Sequence, residues 1–135
     1  MNLSLIDAFG RFGARPGNKQ GTLSAIADDG AMVLNCEQAR FRHPERGVLR
    51  YENRLSSDPL VSKGAELLGQ HLALARDGAL PVRMVVTFFV DGKSGARAHH
   101  VRPDLIGRVV TFDGDHFVVD FERREDERAG ASVRK

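Results

Sequence analysis

The spacing of apolar residues predicts one long amphipathic helix over residues 59–77. Asp58 is a suitable N-cap, Pro59 suits a first turn and Gly78 suits the end of the helix. His71 falls within the apolar side of this helix and is predicted to be a hydrogen-bonded core residue. The apolar side comprises Leu60, Val61, Ala65, Leu67, Leu68, Leu72, Leu74 and Ala75. A short helix is also predicted near the start of the chain, over residues 3–12.

Strand patterns lie on both sides of the long helix. Residues 22–27 and 31–37 flank Asp-Asp-Gly, and residues 108–112 and 116–121 flank Asp-Gly-Asp, so each pair predicts a β-hairpin. Residues 81–90 are apolar on both sides of the alternation, which indicates an interior strand. In the first hairpin Cys36 shares a side with two apolar residues and is predicted to lie in the core.

A single half-buried strand is predicted within residues 40–55, because polar and apolar positions alternate there. One side would be arginine-rich and wet, and the other would face the core. The wet side comprises Val48, Arg50, Glu52 and Arg54, and the core side comprises Leu49, Tyr51 and Leu55 together with Asn53.

The order helix, hairpin, strand, helix, strand, hairpin predicts a single α+β domain over residues 1–122. Its sheet would be mostly antiparallel, with five to six strands and the long amphipathic helix packed on one face. Residues 123–135 mix both signs of charge and are predicted to form a flexible tail. The predicted core includes Leu68, Leu72, Val82, Met84, Val86, Val110 and Val118.

The amino-acid composition limits the classes of function that this chain could have. The chain has 135 residues, a formal net charge of +2 and a pI near 9.0, which is too mild to indicate nucleic acid by itself. A single cysteine excludes an internal disulfide and a thiolate zinc cluster. No apolar run is long enough to span a bilayer, and residues 1–12 lack a signal-peptide pattern. We therefore expect a cytoplasmic protein that does not enter the membrane.

No catalytic or metal motif is complete. Gly92-Lys93-Ser94 resembles the end of a phosphate-binding loop, but Thr87 stands where that motif requires glycine. Adjacent histidines at 99 and 100 would point to opposite sides of an extended backbone, which disfavours a shared metal. We predict no cofactor, no metal and no catalytic residue.

A metal-dependent nuclease remains an alternative. Asp104 and the pair Asp120 and Glu122 are spaced carboxylates of the kind that bind magnesium in restriction-type nucleases. Arginines at 123 and 124 stand where such enzymes use a lysine, and an arginine cannot lose its proton to activate water.

Basic residues are the strongest functional signal, because sixteen of the twenty are arginine and three groups of basic residues stand out along the chain. Guanidinium groups bind phosphates and base edges in a bidentate manner. Two groups fall in predicted glycine-bearing loops, over 10–21 and 91–103, and one on the predicted strand. The predicted nucleic-acid-binding residues are Arg11, Arg15, Lys19, Arg40, Arg42, Arg50, Arg54, Lys93, Arg97 and Arg102. A GC-rich bacterial genome would also produce an arginine-rich, lysine-poor chain.

Residues 48–90 follow the order strand, polar loop, amphipathic helix, hydrophobic strand. Through Tyr51-Glu52-Asn53-Arg54-Leu55 and the helix-strand pair over 66–90, this layout resembles the N-terminal modified-base-reading domain of McrA-type restriction endonucleases. The nuclease half of those enzymes has no counterpart here. The resemblance implies a stand-alone reader of DNA.

The sequence thus predicts a non-catalytic module that binds nucleic acid, DNA more than RNA. The alternative from another class is a protein-interaction adaptor or an oligomerising subunit, which would bind its partner through a sheet edge.

Overall fold

The computed structural model describes residues 4–15, 23–57, 62–89 and 97–123. Within these ranges two α-helices and eight β-strands form a mixed α+β fold. The helices are α1 (Leu5–Gly10) and α2 (Ser62–Gly78). The strands are β1 (Ser24–Ile26), β2 (Met32–Glu37), β3 (Phe41–Glu45), β4 (Val48–Arg54), β5 (Val82–Phe89), β6 (Arg97–Val101), β7 (Leu105–Phe112) and β8 (His116–Arg123).

One mostly antiparallel sheet runs in the order β1-β2-β5-β7-β8-β4-β3, with β6 also paired to β5. The strand predicted at 81–90 is confirmed as interior, since β5 pairs with β2 on one side and with β6 and β7 on the other. The β2–β5 pair is parallel, and the other pairings are antiparallel. The two hairpins predicted around Asp-Asp-Gly and Asp-Gly-Asp are confirmed.

Apolar side chains pack on both sides of the β2–β5 pair because successive residues of a strand point to opposite sides. On one side Leu34 and Met84 join the main core beneath α2. On the other side Val33 and Val85 join a smaller cluster beneath α1, whose Phe9 is fully buried. Strands β4 and β8 contribute to the main core only, so half of the sheet has one buried side.

The long helix is confirmed, and its predicted end at Gly78 is correct. Its predicted start falls on residues 59–61, which lie outside the described residues. Leu68, Leu72 and Ala75 pack on the sheet, but Leu67 and Leu74 were wrongly assigned to the buried side and are 38% and 56% exposed. The buried side of α2 is therefore narrower than the apolar side that the residue spacing predicted. Neither described helix is long and apolar enough to cross a membrane.

Five to six strands were predicted, and the described part of the chain has more because two segments were misassigned. The single strand over 40–55 is a hairpin, in which β3 and β4 meet at a turn with Gly47 at φ 84°. The polar loop over 91–103 contains β6. Both strands are rich in polar residues and therefore lack the apolar pattern of a buried strand. The reason is that β3 lies at an exposed sheet edge and β6 pairs on one side only.

The predicted core is confirmed except at Val110, which is 46% exposed. The register of β7 against β8 shifts between Val109 and Thr111, so Val110 is an extra residue in the strand. A bulge of this kind turns a side chain away from the alternation on which the prediction relied. Val118 is buried as predicted, but it lies on the side of the sheet opposite the main core.

Three buried polar side chains inside the core, those of Ser24, His71 and Tyr51, are hydrogen-bonded. The Ser24 hydroxyl lies 2.7 Å from Nδ1 of His71, which links β1 to α2 and confirms the predicted core histidine. The Tyr51 hydroxyl accepts hydrogen bonds from the Glu37 backbone N–H and the Asn53 side-chain amide, each at 3.1 Å. Burial is the main cause of a raised Tyr51 pKa. Satisfied partners keep the cost of burying these groups low.

Replacement of Leu72 by alanine is expected to lower the free energy of unfolding by about 2–5 kcal/mol, because it empties a fully buried site under α2. The matched control is Leu74→Ala on the exposed side of the same helix, with an expected change within about 0.5 kcal/mol. Urea denaturation measures both. Equal losses in the two variants would show that the orientation of α2 is wrong.

Stability is expected to fall as the pH drops below about 6.5, the pKa of an unperturbed histidine. Burial lowers the pKa of His71 in the folded state, so the unfolded chain binds a proton that the folded protein excludes. The His71 contribution is complete above that pH and is lost as the pH falls toward the lowered pKa. His71→Asn keeps an acceptor near Ser24 and should flatten the pH dependence of unfolding.

Partial burial, and then Arg102, also lower the pKa of His100, which adds to the pH dependence of stability. This effect is the same in the unmodified protein and in His71→Asn, so the difference between their pH slopes reports His71 alone. An identical pH slope in the two proteins would contradict a buried, neutral His71.

Candidate nucleic-acid interface

An uncovered side of the sheet carries the arginines that were predicted on a strand. In β8 the odd-numbered residues 117, 119 and 121 enter the main core, so the even-numbered ones point outward. The outward residues of β3, β4, β8 and β7 form a surface that we call the open face. Its polar members are Arg42, Glu45, Arg50, Glu52, Arg54, Arg108, Thr111, His116, Asp120 and Glu122. The predicted division of β4 into a wet side and a core side is confirmed, except that Val48 is buried.

Arg50 and Asp120 form the best-defined ion pair of the open face. The guanidinium donates from Nε and Nη2 to the two carboxylate oxygens at 2.7 and 2.9 Å. The pair joins β4 to β8 across directly opposed positions. The hydrogen bonds to Asp120 are the largest cause of a raised Arg50 pKa. The main role of Arg50 in the fold is therefore to link β4 to β8 through Asp120.

Glu52 is the second carboxylate centre of the open face. Its Oε2 lies 2.5 Å from Nε2 of His116 on β8, and its other oxygen lies 3.8 Å from a guanidinium nitrogen of Arg42. The hydrogen bond from His116 is the main cause of a lowered Glu52 pKa. This 3.8 Å contact with Glu52 is too long for a hydrogen bond, and the side chain of Arg42 is 74% exposed.

Arg54 lies at the end of the open face beside the β7–β8 turn. Asp115 accepts hydrogen bonds from the Ser56 backbone N–H and hydroxyl at 2.8 and 3.0 Å, and a longer contact of 3.5 Å from Arg54. The Ser56 backbone bond is the main cause of a lowered Asp115 pKa. The side chain of Arg54 is 60% exposed, and Arg54 binds Asp115 less closely than Ser56 does.

The other predicted arginines lie elsewhere. Arg40 follows β2 in a short 3-10 turn (Gln38–Arg40) and pairs with Glu37 at 3.3 Å. Arg11 and Arg15 are exposed beside α1, on the covered half of the sheet. Arg102 donates from two nitrogens to Asp104 at 3.0 and 2.9 Å, at the bend between β6 and β7.

Three of the predicted residues cannot be placed. Lys19 and Lys93 lie outside the described residues, as does the side chain of Arg97. Among the predicted residues that are described, the structure brings Arg42, Arg50 and Arg54 together on the open face.

The candidate catalytic groups have structural partners. His99 lies with Nδ1 2.8 Å from the Thr87 hydroxyl, which in turn lies 2.5 Å from Asn35 Oδ1, so a polar row crosses β2, β5 and β6. His100 packs against Phe88. The nuclease-like carboxylates Asp104 and Asp120 are each bound by an arginine. In the described part of the chain no group of three or more His, Cys, Asp or Glu residues could hold a metal ion.

Sequence reasoning missed a groove next to the open face, where β7 separates from β5. It has a volume of about 320 Å³ and is lined by Ala79, Leu80, Pro81, Ile106, Gly107, Arg108, Asp120, Glu122 and Arg123. These residues come from three segments that only the sheet brings together. No local pattern in the sequence could have indicated the groove.

The Arg50–Asp120 pair is expected to contribute more to stability than the Arg54–Asp115 pair. Two short hydrogen bonds and side-chain exposures of 35% and 21% favour the first, whereas the second has one contact of 3.5 Å and exposures of 60% and 42%. Double-mutant cycles with alanine, measured by urea denaturation, give both coupling energies. Coupling that is equal in the two cycles would contradict the tie across β4 and β8.

Comparison of the chain with protein-family models, with curated proteins and with solved structures found no match.

Proposed function

We propose that this protein is a non-catalytic cytoplasmic module that binds nucleic acid, DNA more than RNA, through the open face. The observation that carries the proposal is that β3 and β4 present Arg42, Arg50 and Arg54 on one side of the sheet that neither described helix covers. An uncovered sheet surface of this kind allows several guanidinium groups to contact phosphates of one strand.

The arginines of the open face differ in how freely they can bind phosphate. Arg50 is committed to Asp120 by two short hydrogen bonds. Arg42 and Arg54 hold their carboxylates only at 3.8 and 3.5 Å and are largely exposed. Exposed pairs of this length contribute little to stability, so exchanging the carboxylate for a phosphate costs little. Arg46, at the β3–β4 turn, makes no ion pair within the described residues and adds a further cation nearby.

The composition of the open face favours duplex DNA over single-stranded RNA. Proteins that bind single strands stack bases on exposed aromatic rings. None of the described outward residues of the open face is Phe, Tyr or Trp, and the ring of His116 is bound to Glu52. Tyr51 packs in the core between Phe41 and Phe117 at ring distances of 5.2 and 6.0 Å. Phosphate contacts would therefore dominate binding. The layout of residues 48–90 that resembles a modified-base-reading domain also favours DNA.

The proposal predicts that Arg42→Ala combined with Arg54→Ala weakens binding to every duplex sequence. Each lost phosphate contact should reduce the slope of log affinity against log salt by about 0.9, so the double variant should lose up to about 1.8. Fluorescence anisotropy with a labelled duplex at several salt concentrations measures both quantities. The matched control is Arg40→Ala, an exposed arginine that lies outside the open face and should leave the slope unchanged.

Unchanged binding in the double variant, or an equal loss in the Arg40 control, would show that the open face is not the site. Absence of binding to any nucleic acid at low salt would refute the function itself.

The alternative of a protein-interaction module that forms a homo-oligomer is favoured by a different observation. Leu67 and Leu74 lie exposed on α2, and Leu74 borders an apolar groove with Ala73 and Leu80. Association through this surface would survive high salt and would be lost in Leu74→Asp, whereas nucleic-acid binding would be lost at high salt. Sedimentation at high salt separates the two functions.

A further inference from the structure

The pairing register of the sheet places four charged residues of the open face in one row across its strands. Arg42 on β3 lies opposite Arg50 on β4. Arg50 lies opposite Asp120 on β8, which in turn lies opposite Arg108 on β7. Directly opposed residues point to the same side of a sheet, so the four side chains share the uncovered side. We call these four residues the charged row, and it begins and ends with an arginine.

The middle of the charged row is neutral, and its two ends are available. Arg50 and Asp120 satisfy each other through two short hydrogen bonds. Arg42 reaches its carboxylate partner only at 3.8 Å. Arg108 is exposed, and within the described part of the chain its side chain forms no hydrogen bond or ion pair. Asp120 does not hold Arg108, because both of its oxygens accept from Arg50. The row therefore offers an available guanidinium group at each end.

The available arginines of the open face do not lie on one line. Three strand spacings of about 4.8 Å separate Arg42 from Arg108, which gives about 14 Å between the two positions. Arg54 lies further along β4, about 13 Å from the charged row at the rise per residue of a strand. The three positions are therefore the corners of a triangle. Arg108 stands about 14 Å from the line through Arg42 and Arg54.

We infer that Arg108 contacts the second strand of a DNA duplex whose first strand contacts Arg42 and Arg54. The inference rests on the proposed nucleic-acid binding and adds to it one residue and a division of the contacts between the strands. A duplex presents two lines of phosphates, one on each side of a groove. The major groove is about 12 Å wide, so side chains of arginine length at the corners of this triangle can reach both lines.

Acidic residues near the charged row favour the same placement of the duplex. Glu45 on β3 and Glu122 on β8 stand beyond the row, on the side away from Arg54. Glu52 lies on the Arg54 side, where His116 binds it. Repulsion by the first two carboxylates would hold the phosphate backbone on the Arg54 side of the row. This is the side on which the three arginines form their triangle.

The test compares two duplexes of one sequence by fluorescence anisotropy at several salt concentrations. One duplex has normal phosphates throughout, and in the other a single strand carries neutral methylphosphonate linkages. Arg108→Ala should weaken binding to the normal duplex about tenfold at low salt and reduce the slope of log affinity against log salt by about 0.9. On the half-neutral duplex it should change neither quantity, because the phosphates that Arg108 contacts are absent. Arg42→Ala should weaken binding to both duplexes.

Arg123→Ala is the matched control, because it removes an exposed arginine of the neighbouring strand from the other side of the sheet. Arg123 lies opposite Leu105, whose side chain belongs to the main core. This variant should leave the salt slope unchanged on both duplexes. Arg108→Lys keeps the positive charge and should keep the slope on the normal duplex. Thermal unfolding of each variant checks that the fold is retained.

Equal losses from Arg108→Ala on the two duplexes would assign Arg108 to the same strand as Arg42 and overturn the inference. An unchanged slope in Arg108→Ala on the normal duplex, or the same loss in Arg123→Ala, would also overturn it. In these cases a loss in the double variant of Arg42 and Arg54 would still support nucleic-acid binding, so the two failures are distinguishable. If the unmodified protein binds neither duplex, the proposed function fails and the inference fails with it.

Discussion

The parallel β2–β5 pair is the constraint on which the rest of this structure depends, because it is apolar on both sides. Residues such as Leu34 and Met84 must be covered on one side, and Val33 and Val85 on the other. The chain meets this need with α2 on the first side and α1 on the second. Strands β4 and β8 send large apolar side chains into the core on the first side, and on the second side Val48 and Val118 lie among polar residues, so these strands carry no second cluster. The open face follows from this difference.

The open face carries charges of both signs, and several of them are paired across the strands. Arg50 and Asp120 neutralise each other through a bidentate contact, and Glu52 is shared between His116 and Arg42. Such pairs align β4 with β8 and also remove much of the positive potential that an arginine-rich sequence suggests. Attraction for phosphate is therefore left to the exposed, loosely held guanidiniums at the margins. Under the proposed function, this partial neutralisation would be the main physical limit on affinity for nucleic acid.

At the junction of β5 and β7, the backbone of β7 packs closely on the core at Gly107, and next to that point β7 is no longer paired with β5. At Gly107 the ring of Phe121 occupies the space where a side chain would lie, which allows β7 to pack closely over the core. Only Val82 and Gly107 are paired between β5 and β7 before the strands diverge. The gap becomes the groove, and the turn through Ala79 forms its wall. Core packing and the shape of the groove thus share one feature of the sheet, and substitutions at Gly107 would disturb both.

Local pattern in the sequence was sufficient for the long helix, the two hairpins and the interior strand, because each buries one continuous set of neighbouring side chains. It also placed Cys36 and His71 correctly, since both sit among apolar residues with the right period. Tertiary structure decided the rest. Strands β3 and β6 are too polar to be recognised, and they exist because a neighbouring strand completes their hydrogen bonds. Val110 is exposed because of a register shift that depends on β8. The pairing of Arg50 joins residues 70 positions apart, so only the folded sheet shows that this arginine is already bound.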